Sequence, residues 1–138
     1  MESTGPSRQA GFTLIELLIG VVILAILLTI ALPSYQGYIN KSRARTASAD
    51  LVALATDLEN EFQRQLRYGV RDTTTTQETI DAAIGWRPSD DGHFVFTVES
   101  TANSYTLTAT GEGSLSGCSL TLDSDNQRTA SAPCGLSW

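Results

Sequence analysis

Histidine occurs once in these 138 residues, at His93, and cysteine twice, at Cys118 and Cys134. One imidazole and two thiols do not complete a tetrahedral structural zinc site. His93 follows Asp90 and Asp91 on a turn signal, and three such residues without a fourth ligand make neither a metal centre nor an acid–base site. Asp123, Asp125 and Asn126 resemble part of a calcium loop but lack its downstream glutamate. Basic residues are scarce as well. Lys and Arg number 9 against 15 Asp and Glu, for a net charge of −6. That balance argues against broad nucleic-acid binding, which needs clustered cations to displace counterions. The one basic cluster is Lys41, Arg43 and Arg45. No catalytic residue, cofactor or metal is expected, and the chain reads as a structural protein rather than an enzyme.

What the chain does have is one long apolar run. From Phe12 to Leu32 it extends about 21 residues, or roughly 31 Å as a helix, which matches the ~30 Å hydrocarbon core of a bilayer. The single charge inside it is Glu16. A charged side chain at the centre of such a helix costs about 2.5–3.5 kcal/mol on insertion scales, so a retained carboxylate points to a use. Ahead of the run lies a short polar segment in which Glu2 and Arg8 cancel. A secretory signal has the opposite arrangement, with cleavage after its apolar core. The apolar segment is therefore expected to stay with the mature chain.

The stretch from Gly11 to about Tyr38 resembles the amino-terminal signature of type IV pilins. It has a polar leader, Gly11-Phe12, Glu16, Pro33 two-thirds of the way along, then Pro-Ser-Tyr-x-x-Tyr through Tyr35 and Tyr38. The resemblance implies that a prepilin peptidase cuts between Gly11 and Phe12 and methylates the new amino terminus at Phe12. It further implies that Glu16 pairs with the amino terminus of a neighbouring subunit, so that the pair forms only in the correct axial register. The domains expected are a leader at 1–11, a membrane and assembly half-helix at 12–33 and a globular domain at 34–138.

Orientation is a contest between two signals. The positive-inside rule would place the basic flank at Lys41–Arg45 in the cytoplasm. The cysteines and the pilin resemblance place the carboxyl-terminal part outside, and these are preferred. Cys118 and Cys134 enclose a loop of about 15 residues, for which a disulfide is worth about 3 kcal/mol. Such a bond needs an oxidising compartment such as the periplasm; the alternative is a free or buried thiol pair.

Beyond Pro33 the helical period continues. Ala47, Leu51, Leu54, Leu58 and Phe62 recur at spacings of three and four, the mark of one buried face. The expected helix of about 55 residues ends near Tyr68, capped by Gly69 in a left-handed conformation. Pro33 and Gly37 predict a kink. Residues 70 to 92 read as a connecting loop pinned by Ile84 and Trp86, with a short helical turn near Glu78. Alternation then predicts strands at 93–99, 105–110 and 118–123, and a short one at 127–130. The fold class is α+β, a pilin fold with a long helix over a small antiparallel sheet. The strand sequences resemble those of PilE-like minor pilins.

The function these features imply is a structural subunit of a type IV pilus. Its expected partners are other pilin subunits, the prepilin peptidase, an inner-membrane assembly platform and, before assembly, membrane lipid. The expected location is the inner membrane, with the carboxyl-terminal domain periplasmic, and then the extracellular fibre. Such fibres support adhesion, twitching motility or DNA uptake. The alternatives are a type II secretion pseudopilin, against which the terminal cysteines argue, or a DNA- or ligand-binding pilin at the fibre tip. DNA is possible but not favoured, because Arg64, Arg67, Arg71, Arg87 and Arg128 are scattered.

Overall fold

The computed structural model describes residues 11–89 and 92–138. Residues 1–10 of the expected leader, and Asp90 and Asp91 of the expected turn, lie outside the described residues. The chain divides into two compact units, one ending at Gln36 and the other running Gly37–Trp138.

The first unit is helical from Leu14, the start of helix α1 (Leu14–Gln65). Every described residue of this unit is exposed, including Phe12, Leu14 and Ile30. Thr13 explains where the helix begins. Its hydroxyl accepts the Glu16 backbone N–H at 3.2 Å, which satisfies one of the donors that a helix start leaves open. Pro33 lies inside α1, where its ring removes one backbone hydrogen bond.

In the second unit α1 buries Ala44, Ala47, Leu51, Leu54, Ala55 and Leu58. Strands β1 (Arg71–Asp72), β2 (Phe94–Ser100), β3 (Tyr105–Gly111), β4 (Ser119–Asp123) and β5 (Arg128–Ala130) form one sheet in the order β1-β2-β3-β4-β5. Every neighbouring pair is antiparallel. Phe96, Ala109, Leu120 and Ala130 align across four strands. With Phe94, Val98, Leu107 and Leu122 they pack against the α1 stripe in one core. The period of two puts Thr97, Thr108, Thr121 and Thr129 in register on the opposite, wetter face. Gly111 is required where β3 ends, because a Cβ there would run into the Leu115 carbonyl oxygen.

Helix α2 (Thr76–Ala82) fills the connecting segment, opened by a capping box between Thr75 and Glu78. Its neighbours protect the sheet edge. Thr73 and Thr76 hydroxyls accept the Val98 and Phe96 backbone N–H groups at 2.8 and 3.1 Å. The buried Thr79 hydroxyl donates to the Phe96 carbonyl at 2.7 Å. The part of β2 that the two-residue β1 leaves uncovered, with its polar groups met in this way, offers no template for a second chain.

Two expectations need correcting. The helix ends at Gln65, and the left-handed residue is Leu66, with φ 56°, rather than Gly69. Leu66 is 79% exposed and so gains little from burial. Leu66→Gly is expected to stabilise the domain by about 0.5–1 kcal/mol, since glycine tolerates that backbone. Unfolding of the detergent-solubilised chain followed by near-ultraviolet dichroism would test this, and a lower midpoint would refute it. Ile84, expected to pin the loop, is 87% exposed. The pinning falls to Trp86, with Thr79 and Ala83 buried beside it.

Candidate functional site

The residues singled out for processing, Gly11 and Phe12, and the assembly residue Glu16 lie at the start of the chain's described part; Pro33 lies further along α1. Gly11 and Phe12 precede α1 and are exposed, and no atom lies within 4 Å of where a Gly11 side chain would project. Glu16 occupies the first turn of α1. There a carboxylate gains about 0.3–1 kcal/mol from the helix dipole. This falls short of the cost of placing a charge within a bilayer, so the dipole alone does not account for it. Thr13-Leu-Ile-Glu16 also carries the capping-box pattern, and that signal would have located the helix start from sequence.

At the other end of the chain Cys118 and Cys134 are joined by a disulfide, and both are buried. The bond fastens the turn before β4 to the tail beyond β5. Ser131 reinforces it by accepting the Ser119 N–H at 2.8 Å and donating to the Gly117 carbonyl at 2.8 Å.

Polar residues on the buried side of α1 clamp the loop. Asp50 is 6% exposed and accepts from the Ser89 backbone N–H at 3.0 Å and its hydroxyl at 2.7 Å. The Trp86 indole donates to the Asp50 carbonyl at 3.0 Å. Asp50→Ala is expected to cost about 1.5–3 kcal/mol, because it removes the charge-assisted hydrogen bonds that tie the exposed Ser89 to a buried carboxylate. Denaturant unfolding of the detergent-solubilised chain would measure it, and a loss below about 0.5 kcal/mol would contradict the clamp. Asp50 is not among the apolar residues of the helical stripe, and nothing in the sequence pattern signals this role.

Glu59 gathers two tyrosines. The hydroxyls of Tyr68 and Tyr105 donate to one of its oxygens at 2.9 and 3.1 Å. Burial, then the bond to Glu59, pushes the Tyr68 hydroxyl up to about 12 and raises Tyr105 as well. Both therefore remain donors at neutral pH. Glu61 pairs with Arg71 at 2.7 Å, and that hydrogen bond holds its carboxyl below the usual range. A carboxyl lowered in the folded state adds stability above its unfolded pKa. That stability is lost as pH falls through the folded value. The pair fastens β1, a strand too short to be read from alternation.

A long apolar helical segment that continues into a helix packed on an antiparallel meander, with the tail closed by a disulfide, is the architecture of the pilin class. The profile described as type IV minor pilin ComP, DNA uptake sequence receptor, matches residues 33–134. The profile described as the prokaryotic N-terminal methylation motif matches residues 6–32. The chain belongs to the type IV minor pilin family. The type IV major fimbrial protein FimA of Dichelobacter nodosus is 37% identical over 98 residues, covering 70% of this chain and 56% of the relative. The type IV major alpha-pilin of Moraxella bovis is 41% identical over 75 residues, covering 54% and 47% respectively. The type II secretion system core protein G of Aeromonas hydrophila is 35% identical over 77 residues, covering 56% and 50%. The chain thus spans about half the length of the curated relatives it matches. No solved structure matches it significantly.

Proposed function

We infer that the chain is a pilus subunit held in the inner membrane by residues 12–33, with residues 34–138 on the periplasmic side. A prepilin peptidase removes residues 1–11 by hydrolysing the Gly11–Phe12 bond and then methylates the Phe12 amine. Through an inner-membrane assembly platform the subunit enters a fibre, where its apolar segment exchanges lipid for the same segment of other pilins. The observation that carries this reading is the wholly exposed apolar surface of the first unit, with a mean hydropathy of 2.9 in its membrane-length window. So much apolar area is stable only in lipid or against other helices. Glu16 and the new amino terminus supply the register, and Pro33 loosens the helix. Intact mass of the chain recovered from cells with an active peptidase tests the reading. It should equal that of a chain starting at N-methylated Phe12.

A second reading is DNA capture, favoured by the description of the matching family. Within the second unit Arg71 is committed to Glu61. Arg128 is bonded to Asn126 and lies over the Trp138 ring at 5.6 Å. These engagements leave Arg64, Arg67 and Arg87 as the arginines able to face a duplex beyond α1's basic cluster. The likeness to a secretion-system core protein supports the pseudopilin alternative, and the Cys118–Cys134 bridge weighs against it.

A further inference from the structure

The three cations that follow the apolar segment differ in their surroundings. Arg43 is half-buried, whereas Lys41 and Arg45 are exposed. A spacing of four residues stacks Lys41 and Arg45 on one face of α1, with Ser48 close by. That face borders a cavity of about 490 Å³ whose other wall is the tail, including Ser137 and Trp138. The wall is fixed by the disulfide at the buried Cys134. Among the described residues neither Lys41 nor Arg45 has a carboxylate within ion-pair distance; the pair found there is Arg71–Glu61.

Two cations without a carboxylate partner, the Ser137 hydroxyl and an indole around one cavity suit a phosphate ester; the Ser48 hydroxyl is held by the Arg45 carbonyl at 2.8 Å. We propose that this cavity holds the phosphate headgroup of an anionic phospholipid while the subunit resides in the membrane. The proposal rests on the membrane-anchored reading above. Position favours lipid. Tyr38 is 70% exposed on α1, and tyrosine and tryptophan collect at the headgroup level of bilayers. Lys41 follows Tyr38 within one turn and Arg45 follows Lys41 by little more than one, so both cations can extend their stems along that layer. Trp138 adds a second interfacial aromatic to the same cavity. A nucleic-acid groove needs cations that track successive phosphates, whereas here they converge on one hollow. Bound this way, the lipid stays in the cavity until extraction strips it away.

The full chain can be reconstituted in vesicles of phosphatidylcholine alone, or of phosphatidylcholine and phosphatidylglycerol in equal parts. Each preparation carries a trace of lipid with a spin label on its headgroup. The fluorescence difference between the wild type and Trp138→Phe isolates the Trp138 signal. That signal should be quenched in the phosphatidylglycerol vesicles and much less in phosphatidylcholine. Lys41→Gln and Arg45→Gln should each lower the lipid-bound fraction about fivefold, and together about thirtyfold. Both side chains are exposed, so the fold should survive, as near-ultraviolet dichroism would verify. Free inorganic phosphate should not displace the lipid; displacement would assign the cavity to the soluble anion and overturn the lipid proposal. A mixed-sequence DNA duplex that displaces it through the same two residues would overturn it in favour of nucleic acid. Equal quenching in the two lipids, with the chain fully inserted, would refute headgroup binding and leave the anchor intact. Failure to insert in either vesicle would refute the anchor, and headgroup binding with it.

Discussion

A chain with alanine in place of Glu16 is expected to enter the membrane as well as the wild type and to be almost absent from fibres. Insertion should not suffer, because removing the carboxylate relieves a bilayer cost of at most about 2.5–3.5 kcal/mol, the value for a helix centre. The helix start should survive, because its cap is the Thr13 hydroxyl bonding the residue-16 backbone N–H, which alanine keeps. What is lost is the partner of the neighbouring amino terminus, whose ammonium is then buried alone. Breaking a buried ion pair by removing one member costs about 3–5 kcal/mol, a factor of a hundred or more per subunit. Glu16→Gln separates charge from shape and should fail nearly as badly. Quantifying the chain in membrane and sheared-fibre fractions measures both effects. Fibre incorporation within about twofold of wild type would remove the pairing argument.

Gly11→Ser should stop maturation at its first step, with the leader still attached and no methyl group at Phe12. The fold offers no objection to the new side chain. Gly11 lies outside α1, and nothing stands within 4 Å of its would-be Cβ. A block must therefore arise in the peptidase, where a side chain next to the scissile bond would obstruct entry. Unprocessed subunits would lack the ammonium four residues ahead of Glu16, so fibre assembly should fall as it does for Glu16→Ala. Peptide mapping of the recovered chain decides. A mature terminus at Phe12 in the serine variant would break the cleavage assignment.

Legibility in the sequence followed the range of the forces involved. The α1 stripe was readable because Ala47, Leu51, Leu54 and Leu58 repeat at the helical period, and the structure buries all four. The strands were readable because Phe94, Phe96 and Val98 alternate, as do Leu120 and Leu122, and each set lies inside. The Thr75 and Glu78 capping box was present in the letters and was overlooked. Other features could not be read locally. Gly69 seemed the natural helix stop, yet the chain turns at Leu66, where the Tyr68 N–H meets the Ala102 carbonyl at 3.0 Å. That long-range bond and the Glu59–tyrosine cluster outweigh the modest preference for glycine in a left-handed turn. β1 has two residues, and its position is set by Ser100 and Glu61 rather than by any pattern of its own.

The amino-acid order alone determined the membrane-length segment, its one carboxylate, the processing motif and the α+β class. These depend on hydropathy, periodicity and short motifs, which act between near neighbours in the chain. Only tertiary structure decided that Asp50 would hold Ser89, that Ile84 would face solvent while Trp86 went in, and that Lys41 and Arg45 would share a hollow with Trp138. Those contacts join residues dozens of positions apart, and their energies exist only once the sheet and the disulfide have brought the tail back to the helix.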